Sequence, residues 1–581
     1  MCGIAGILKF NNFSDSTYEL KRMTDVIAHR GPDGEGQWAN LKGNIGLGHR
    51  RLSIIDLTDS GKQPMHYANE RYTITFNGEI YNYIELREQL KNKGYKFQSN
   101  SDTEVLLAMY DLKKEKCLNE LDGMFAFSIW DEQEQELFCA RDRFGEKPFY
   151  YSYEKGKHFY FASEMKALWA AGISKNYNSE VLNHYLNTGS AIYSNDLTKT
   201  FYSEINQLDS AHYLILKNNS DIKIQRYYNL NNTLINTKIS LDEAIEQFTL
   251  LFTESVNLRL RSDVSVGSSL SGGLDSSSIV MLIDKLKGDS TKQHTFSARF
   301  DGFKKDEGVH IHKVINACKN VASHEVYPQE EELQQLINKL VFHQEEPFGS
   351  SSVFAQWKVM ELAKQNGTVV LLDGQGADEY LGGYLPTYGL YFKQLFFTDQ
   401  QKYKHEQKAY LNLRGHVGTT FEEDETLRMK IGRMKRQLLN QSMPYDNNSL
   451  SNELKKQTLS IGLKELLRYA DRNSMAHSRE VRLPFLSHKL VDFVFSLPDD
   501  YKLFEGWTKY ILRLSMDNVL PKDITWRVDK IGYETPQSNW MNTEFWKQQI
   551  LEGQNKHAQI AKDKSLIMSD WNYIMLNKFF N

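Results

Sequence analysis

Ser271-Gly272-Gly273-Leu274-Asp275-Ser276-Ser277 lies between a short β-branched run, Val264-Ser265-Val266, and an apolar run, Ile279-Val280-Met281-Leu282. This order predicts a strand, a glycine-rich turn and the start of a helix. Such a turn directs backbone N–H groups at one point, and the serine hydroxyls stand at the positive end of the helix dipole. We interpret the turn as a cradle for a pyrophosphate group.

The cradle lacks the Lys of the loop Gly-x-x-x-x-Gly-Lys-Ser/Thr, so simple hydrolysis of a γ-phosphate is not indicated. Its sequence resembles the PP-loop of ATP pyrophosphatases, which cleave ATP between the α and β phosphates and adenylate a substrate. An ordinary loop that caps a helix is the alternative, and the attached Leu-Asp-Ser-Ser disfavours it. The resemblance implies an ATP site made by Leu270, Ser271, Gly272, Gly273, Asp275, Ser276, Ser277, Ala298, Asp373 and Gly374.

Two further strands are predicted at His294-Thr295-Phe296-Ser297-Ala298 and at Thr368-Val369-Val370-Leu371-Leu372, and the second leads into the loop 373–379. Alternation of strands and helices predicts a parallel sheet, in which ligands bind at the carboxyl ends of the strands. We therefore expect the PP-loop and the 373–379 loop to face one another. Cleavage of ATP requires Mg²⁺ on the pyrophosphate, and we predict Asp275 and Asp378 as its carboxylate ligands. For Asp378, an exposed loop acid is the alternative.

The bulk composition limits the class of protein. A chain of 581 residues is too long for one hydrophobic core, so at least two domains are expected. A formal net charge of −4 leaves no electrostatic footprint for nucleic acid or for a membrane surface. The four cysteines show no metal-ligand spacing, no apolar run has the length of a membrane span, and the N-terminus lacks the basic region of a signal peptide. These features predict a cytoplasmic protein and leave a homodimer open.

Cys2 stands almost at the start of the chain, directly before a predicted strand from Ile4 to Phe10. Removal of the initiator Met would leave its thiol beside its own α-amino group, whose pKa lies near about 8. That amine can take the proton of the thiol, and a thiolate is the reactive form of cysteine. Cys2 is therefore a candidate nucleophile that supplies its own base. A buried terminal cysteine without chemistry is the alternative.

Separate motifs follow one another along the first two hundred residues: Cys2-Gly3-Ile4, His29-Arg30-Gly31-Pro32-Asp33, Arg51-Leu52-Ser53-Ile54, Asn77-Gly78-Glu79-Ile80-Tyr81-Asn82, Ser101-Asp102 and Arg141-Asp142-Arg143. The motif Ser101-Asp102 is also typical of a helix N-terminus. Taken together, the set resembles the glutaminase domain of class II glutamine amidotransferases over residues 2–217. Those domains are N-terminal-nucleophile (Ntn) hydrolases, so the resemblance implies an α+β domain with four αββα layers.

The resemblance assigns roles to residues of these motifs. Cys2 would attack the γ-carboxamide of glutamine, while the side-chain amide of Asn77 and the backbone N–H of Gly78 would form the oxyanion hole. Arg51 would bind the α-carboxylate of the substrate through its planar guanidinium. Glu79 and Asp102 would meet the α-ammonium group. The implied glutamine-binding residues are Arg51, Leu52, Ser53, Ile54, Asn77, Gly78, Glu79 and Asp102. Without these partners, Asn77-Gly78 is also typical of a hairpin turn.

An Asn- and Thr-rich segment predicts a connector at 218–240, ahead of an amphipathic helix from Leu241 to about Leu260. From 241 to 581 three further motifs accompany the PP-loop: Tyr469-Ala470-Asp471-Arg472-Asn473-Ser474-Met475-Ala476, Glu480-Val481-Arg482-Leu483-Pro484-Phe485-Leu486 and Trp526-Arg527-Val528-Asp529-Lys530-Ile531-Gly532-Tyr533-Glu534-Thr535-Pro536. This half resembles the synthetase domain of glutamine-dependent asparagine synthetases, which implies an α/β domain with a parallel sheet of the adenine nucleotide α-hydrolase type. Lys530 would then stabilise the charge that builds up during adenylation and ammonia attack.

One loop departs from the family pattern. Asparagine synthetases commonly carry Ser-Gly-Glu-Gly-Ser/Ala-Asp-Glu after the strand, and that Glu contributes to adenylate formation. Here the loop reads Asp373-Gly374-Gln375-Gly376, and Gln375 cannot serve as a general base at neutral pH. Either Asp373 takes over in adenylate formation, or the acceptor is a different carboxylate, such as a uronic acid of a surface polysaccharide.

The sequence as a whole predicts an ATP-dependent carbon–nitrogen ligase with small-molecule substrates. Glutamine would be hydrolysed to glutamate and ammonia, and aspartate would be adenylated by ATP and then converted by ammonia into asparagine. Because both sites lie in one chain and free ammonia is protonated in water, we expect an apolar passage between them. A binding or regulatory protein that kept only the glutaminase is a further alternative, which the intact PP-loop, Asp378 and Lys530 disfavour.

Overall fold

The computed structural model describes residues 2–10, 16–217, 221–230, 233–288, 292–415, 449–529, 534–561 and 567–580. Among these residues, the first half of the chain forms the strands β1 (Gly3–Lys9), β2 (Gly34–Ala39), β3 (Ile45–Arg51), β4 (Met65–Tyr67), β5 (Tyr72–Ile80), β6 (Gly123–Asp131), β7 (Glu136–Arg141), β8 (Tyr150–Glu154), β9 (His158–Ala162), β10 (Asn206–Gln207), β11 (His212–Lys217) and β12 (Lys223–Arg226). They form two six-stranded antiparallel sheets, with strand orders β10-β8-β9-β1-β3-β2 and β12-β11-β7-β6-β5-β4.

The two sheets pack face to face between layers of helices. Side chains alternate along β1, so Ile4 lies in the core between the sheets, together with Trp130 of the second sheet. Ile7, on the opposite face of the same strand, packs on the outer side of the sheet against the helix Thr17–Asp25. The helices of the two outer layers are Thr17–Asp25, Met165–Ala170 and Ser179–Thr188 on one side, and Tyr83–Lys91 and Asp102–Lys113 on the other. The predicted αββα arrangement is confirmed.

The second half is built on a five-stranded sheet in which all neighbouring strands are parallel. Its strands are β13 (Val266–Ser269), β14 (Gln293–Ala298), β15 (Val321–Val326), β16 (Val370–Leu372) and β17 (Glu480–Arg482), in the order β15-β14-β13-β16-β17. The predicted parallel sheet is confirmed. Its first strand begins where the β-branched run at 264–266 ends, and it continues to Ser269.

Helices surround this sheet: Leu241–Arg259, Leu274–Lys287, Gly308–Ala317, Glu330–Gln344, Ser352–Gln365, Ala377–Leu381, Pro386–Thr398, Gln400–Arg414, Leu450–Leu459, Leu463–Ala476, His488–Ser496, Tyr510–Met516, Lys522–Thr525, Gln537–Trp540, Glu544–Ile560 and Asp570–Phe579. Local signals set two helix starts as predicted. Ser240 and Glu243 form a capping box at the first of these helices. In the other half, the Ser101 hydroxyl accepts a hydrogen bond from the N–H of Thr103.

Asn77 and Gly78 lie within a strand. β5 runs through them to Ile80 and pairs Asn77 with Ala126 and Gly78 with Phe125 of β6. The hairpin-turn alternative for Asn77-Gly78 is thereby excluded. A propensity for turns is overridden here by nine consecutive pairings with a buried central strand.

The two halves share a hydrophobic interface. Leu52, Ile54 and Phe144 of the first half belong to the same buried cluster as Val481 and Leu483 of the second. Strand β12 lies inside the interval 218–240, so pairing in the second antiparallel sheet continues into the predicted connector. Within the described parts of the chain, we find no helix long and apolar enough to cross a membrane.

Candidate active sites

Cys2 lies at the start of β1, buried to 8% exposure. Its backbone N–H donates to Asn77 Oδ1 at 2.9 Å, and its thiol faces the carbonyl oxygen of Leu52 at 3.9 Å. Burial raises the pKa of the Cys2 thiol, against the opposing effect of Arg51. The thiol is therefore held in its neutral form until a base removes the proton.

Asn77 and Gly78 lie in the middle of β5, opposite the nucleophile. Asn77 Oδ1 is occupied by Cys2, whereas its buried Nδ2 has no hydrogen-bond partner among the described residues. Gly78 packs so tightly on β6 that an added Cβ would lie 2.2 Å from the carbonyl oxygen of Met124. A rigid strand thus presents an unused amide donor beside the thiol, as an oxyanion hole requires.

Arg51, at the end of β3, is held by the backbone that follows it. Its guanidinium donates to the carbonyl oxygens of Asp56 and, at 2.8 Å, Thr58. The next residues form an extended segment in which the N–H of Ser53 donates to Asp33 at 2.8 Å. The structure thus brings Arg51–Ile54 beside Cys2 and fixes the arginine before any substrate binds.

Glu79 and Asp102 form a pair of buried carboxylates near the same point. Asp102 begins the helix Asp102–Lys113 and accepts from the N–H of Ile80 at 2.9 Å. Burial raises the pKa of Asp102 to about 6. Burial, followed by the charge of Asp102, raises the pKa of Glu79 well above its ordinary value. Two adjacent buried acids that resist ionisation provide a place for a cationic group.

Arg30 is a residue whose position was not predicted. The motif His29-Arg30-Gly31-Pro32-Asp33 is typical of a polar turn, yet the Arg30 side chain is completely buried. Its Nε donates to the carbonyl oxygen of Cys2 at 3.0 Å, and its two Nη atoms bind Asp471 of the second half and Glu164 at 2.8–2.9 Å. Sequence spacing cannot reveal this contact, because Asp471 lies 441 positions away.

The second site is a cavity of about 580 Å³ at the carboxyl ends of β13, β14 and β16. The predicted residues that line it are Leu270, Ser271, Gly273, Asp275, Ser276, Ala298, Asp373, Gly374, Gln375 and Asp378. Two predicted residues of the PP-loop, Gly272 and Ser277, are not part of the lining. Gly272 has a φ of +75° and packs on the helix Gly308–Ala317, and Ser277 is buried in the helix Leu274–Lys287.

The PP-loop and the 373–379 loop face one another, as the sheet topology predicts. An added Cβ on Gly374 would lie 2.9 Å from the backbone nitrogen of Ser276 and 3.0 Å from Cβ of Asp275. Only a glycine allows the loops to approach this closely, because any side chain at 374 would separate them. The two loops therefore form opposite walls of one site.

Asp275 and Asp378, the predicted Mg²⁺ ligands, converge on one atom. Lys509 Nζ lies 2.5 Å from Asp275 Oδ2 and 2.7 Å from Asp378 Oδ1. Burial opposes its charge, but the two carboxylates raise the pKa of Lys509, so the side chain is an ammonium. Lys509 thus places one positive charge between two carboxylates, and carboxylate oxygens are also the ligands that Mg²⁺ prefers. No sequence motif indicated Lys509.

The loop that departs from the family pattern is anchored by its own aspartate. Asp373 Oδ1 accepts from the N–H of Gln375 at 3.2 Å, and burial raises the pKa of the Asp373 carboxyl. Gln375 lines the cavity, and its buried Oε1 has no partner among the described residues. Asp373 is thus engaged in the loop backbone, while Gln375 offers a free acceptor.

The motif 526–536 also reaches this cavity. Arg527 lines it and binds Glu307 at 2.7 Å and Asp529 at 3.1 Å. Burial raises the pKa of Glu307 to about 7 despite this arginine. The predicted catalytic Lys530 lies outside the described residues.

Comparison with known proteins shows the family of the chain. Residues 1–228 match the glutamine amidotransferase domain family, and residues 247–569 match the asparagine synthase family. The chain belongs to the asparagine synthetase family. It is 33% identical to asparagine synthetase (glutamine-hydrolyzing) 1 of Bacillus subtilis (strain 168), over 97% of this chain and 92% of that protein. It is 32% identical to asparagine synthetase (glutamine-hydrolyzing) 3 of the same organism, over 91% of this chain and 86% of that protein.

A further relative of this chain is named as an amidase. Amidase chyE of Penicillium rubens is 28% identical and covers 98% of this chain and 94% of that protein. Membership of the asparagine synthetase family confirms the predicted class of enzyme, an ATP-dependent carbon–nitrogen ligase that uses glutamine as the amido donor. It also confirms the predicted N-terminal Ntn-hydrolase domain and the PP-loop α/β domain.

Proposed function

We propose that this enzyme is a glutamine-dependent asparagine synthetase that amidates the side-chain carboxylate of aspartate. The observation that carries the proposal is the pairing of two sites in one chain. One holds buried Cys2 beside the unused amide of Asn77, and the other is the cavity between the PP-loop and the 373–379 loop. Overall, glutamine, aspartate, ATP and water give glutamate, asparagine, AMP and pyrophosphate.

In the glutaminase domain, Cys2 attacks the carboxamide carbon of glutamine while its own α-amine takes the thiol proton. Because burial favours the neutral thiol, proton transfer accompanies the attack. Asn77 Nδ2 and the Gly78 N–H bind the negative oxygen of the tetrahedral intermediate, and one such donor is worth about 3–4 kcal/mol. Ammonia leaves with that proton, and water then hydrolyses the thioester to glutamate.

The charged ends of glutamine are bound by residues around this thiol. The guanidinium of Arg51, already fixed by backbone carbonyls, binds the α-carboxylate. Glu79 and Asp102 bind the α-ammonium group. Its positive charge stabilises the ionised form of these two buried carboxylates. Leu52, Ser53 and Ile54 complete the wall beside Cys2.

In the synthetase domain, the PP-loop binds the pyrophosphate end of ATP through backbone N–H groups and the Ser276 hydroxyl. A Mg²⁺ ion held by Asp275 and Asp378 would neutralise charge on the phosphates. Lys509 adds a positive charge at the same corner of the cavity. The carboxylate of the acceptor attacks the α-phosphorus, pyrophosphate leaves, and ammonia then displaces AMP. We retain Lys530 as the predicted stabiliser of this second transition state.

Ammonia would pass between the two sites through the apolar interface. Leu52 lies beside Cys2, and it shares one buried cluster with Val481 of β17 and with Leu483, which directly follows that strand. Neutral ammonia is compatible with such surroundings, whereas ammonium is not. Full exchange of glutamine-derived nitrogen with labelled ammonia in the solvent during turnover would contradict this passage.

A second acceptor is kept as a candidate because of the loop at 373–376. The buried Oε1 of Gln375 suits an N–H donor, such as incoming ammonia or the amino group of aspartate. It cannot act as a base, and Asp373 is engaged by the backbone of its own loop. Another carboxylate, such as a uronic acid, therefore stays the alternative to aspartate. The proposed compartment is the cytoplasm, supported by the four free cysteines.

Pyrophosphate release tests the acceptor. With glutamine and Mg-ATP present, addition of aspartate is expected to start stoichiometric release of pyrophosphate and formation of asparagine. A galacturonate oligomer in place of aspartate serves as the comparison. Aspartate-independent release, or release with the uronate alone, would overturn the asparagine synthetase proposal.

Substitution of the nucleophile tests the division of labour. Cys2→Ala is expected to abolish glutamine-dependent synthesis and to leave synthesis from ammonium salts unchanged. Cys117→Ala is the matched control, because Cys117 is buried in the same domain with no part in the site. If the Cys2 variant loses both activities equally, the assignment of two separate half-reactions is wrong.

A further inference from the structure

We propose that Arg482, a residue of the synthetase domain, is a positioning residue of the glutamine site: its guanidinium orients Glu79 and supplies the countercharge that prepares this carboxylate for the α-ammonium group. The inference rests on the proposed function, in which Glu79 meets that ammonium. It adds that the glutamine site is completed by the other domain.

The backbone of Arg482 belongs to the ATP side. Strand β17 forms the edge of the parallel sheet and pairs Arg482 with Leu372 of β16. One residue further on, the N–H of Asp373 donates to the carbonyl oxygen of Arg482 at 3.0 Å. The position of Arg482 is therefore set by the same strand pairing that sets the 373–379 loop.

The side chain of Arg482 turns from that sheet into the interface and is completely buried. Two nitrogens are held within its own domain, since Nη1 donates to the carbonyl oxygens of Arg259 at 2.8 Å and Arg261 at 2.6 Å, and Nε to Glu480 at 2.6 Å. The remaining Nη2 reaches across to Glu79 Oε2 at 3.4 Å. Because Nε and Nη1 are both held, the guanidinium presents Nη2 in a fixed direction.

The charges around Glu79 explain why this carboxylate needs the positive charge of Arg482. It faces Asp102 from the helix Asp102–Lys113, and Glu480 and Arg482 from β17. Burial, Asp102 and Glu480 all favour the protonated form of Glu79, whereas Arg482 favours the ionised form. A neutral Glu79 would lose its attraction for an ammonium group, so the arginine maintains the binding capacity of the site.

Glu480 connects the same arginine to the nucleophile. It is completely buried, and its negative charge contributes to the raised pKa of the Cys2 thiol. Burial acts to raise the pKa of Glu480 itself, but the cations around it, Arg482 among them, hold that pKa at about 2. Glu480 is thus a permanent anion, and its removal changes the electrostatic field at both Glu79 and Cys2.

Arg482→Gln in the full-length enzyme tests the proposal. We expect its KM for glutamine at about pH 7 to rise about tenfold or more, with a smaller change in kcat. The rise is expected to shrink as the pH increases, because a higher pH ionises Glu79 without help from the arginine. Ammonium-dependent synthesis should stay within about twofold of wild type, since the backbone contact to Asp373 is kept. An unchanged KM, or a loss that is equal at every pH, would overturn the proposal.

Two more variants cover the case in which Arg482→Gln does not fold. Glu480→Gln keeps the shape of the side chain and removes the anion, so the acidic limb of the glutaminase pH profile should move to lower pH. Arg479→Gln is the matched control, because this arginine binds the carbonyl oxygens of His477 and Thr368 and should leave KM unchanged. An unshifted profile in Glu480→Gln would refute the inference.

The outcomes separate this inference from the proposed function. If Cys2→Ala retains glutamine-dependent synthesis, the proposed function fails whatever Arg482 does. If Cys2→Ala behaves as expected and the Arg482 and Glu480 variants show wild-type KM and pH profiles, only the positioning role fails.

Discussion

Arg30 of the glutaminase domain and Asp471 of the synthetase domain form a two-pronged ion pair, in which Nη1–Oδ2 and Nη2–Oδ1 both measure 2.9 Å. Both side chains are buried, and the Nε of the same arginine binds the carbonyl oxygen of Cys2 at 3.0 Å. Asp471 lies on the helix Leu463–Ala476, which also carries Tyr469, a residue of the ATP cavity. The backbone of the nucleophile is therefore held by an element of the other active site.

Asp471→Asn is expected to weaken glutamine-dependent synthesis while sparing the ammonium-dependent reaction. The amide keeps one acceptor for Arg30 but removes its charge, and Glu164 retains part of the pairing. Loss of a buried charged hydrogen bond of this kind lowers the free energy of unfolding by about 1–3 kcal/mol. Steady-state kinetics with each nitrogen source and urea denaturation provide the measurements.

Asp25→Asn is the control for that variant, because Asp25 forms an Arg–Asp pair with Arg50 but is about half exposed. An exposed pair contributes only about 0–1 kcal/mol, so both activities and the stability should hardly change. Equal losses in the two variants would mean that burial of the Arg30–Asp471 pair has no special role.

Asn77→Ala is expected to lower kcat for glutamine hydrolysis by about 10²–10³, because it removes the donor that faces the developing oxyanion. Synthesis from ammonium salts should stay at the wild-type level. The measurement is glutamate release at saturating glutamine, with the exposed Asn92→Ala as control. A variant with normal kcat and only a raised KM would indicate that Asn77 binds the ground state.

Lys509→Met is expected to make the enzyme depend on Mg²⁺ for its stability. Without the ammonium, Asp275 and Asp378 repel one another across the cavity, so the apparent Tm without metal should fall. Added Mg²⁺ should raise the Tm more in this variant than in wild type, because the two unpaired carboxylates would hold the ion and it would supply the missing positive charge. Thermal melts with EDTA and with Mg²⁺ measure both values. Equal responses to Mg²⁺ would argue against a metal site between these acids.

Glu146→Gln is expected to stabilise the enzyme at about pH 8 and above. Burial, with Asp142 nearby, raises the pKa of Glu146 to about 8, so the folded state binds a proton that the unfolded state has lost. Stability from this group is therefore greatest at low pH and is lost as pH rises through about 8, at about 1.4 kcal/mol for each pKa unit. The variant should flatten this dependence in urea titrations between about pH 5 and 9. The exposed Glu88→Gln serves as control, and an unaltered pH dependence would contradict the assignment.

Local features were predictable where neighbouring residues determine the backbone. Ser101 caps its helix and the PP-loop joins a strand to a helix, because caps and glycine turns depend on a few adjacent positions. The facing of the two ATP-site loops also followed, since parallel strands place their carboxyl ends at one edge. The strand pairing of Asn77-Gly78 does not follow from its own residues, because partner strands outweigh turn propensity there.

Alone, the sequence determined the parallel-sheet domain, the candidate nucleophile and the pyrophosphate cradle, because these depend on local patterns with a fixed period or spacing. The αββα layers were implied by the resemblance of the N-terminal motifs to class II glutamine amidotransferases. Only the tertiary structure brought Arg30 to Asp471, Arg482 to Glu79, and Lys509 between two aspartates. Each of these contacts joins residues more than a hundred positions apart and pairs charges whose burial no local pattern reveals. The packing of whole domains determines which residues these buried side chains contact. A buried charge without a partner would destabilise the fold, so each of them is paired.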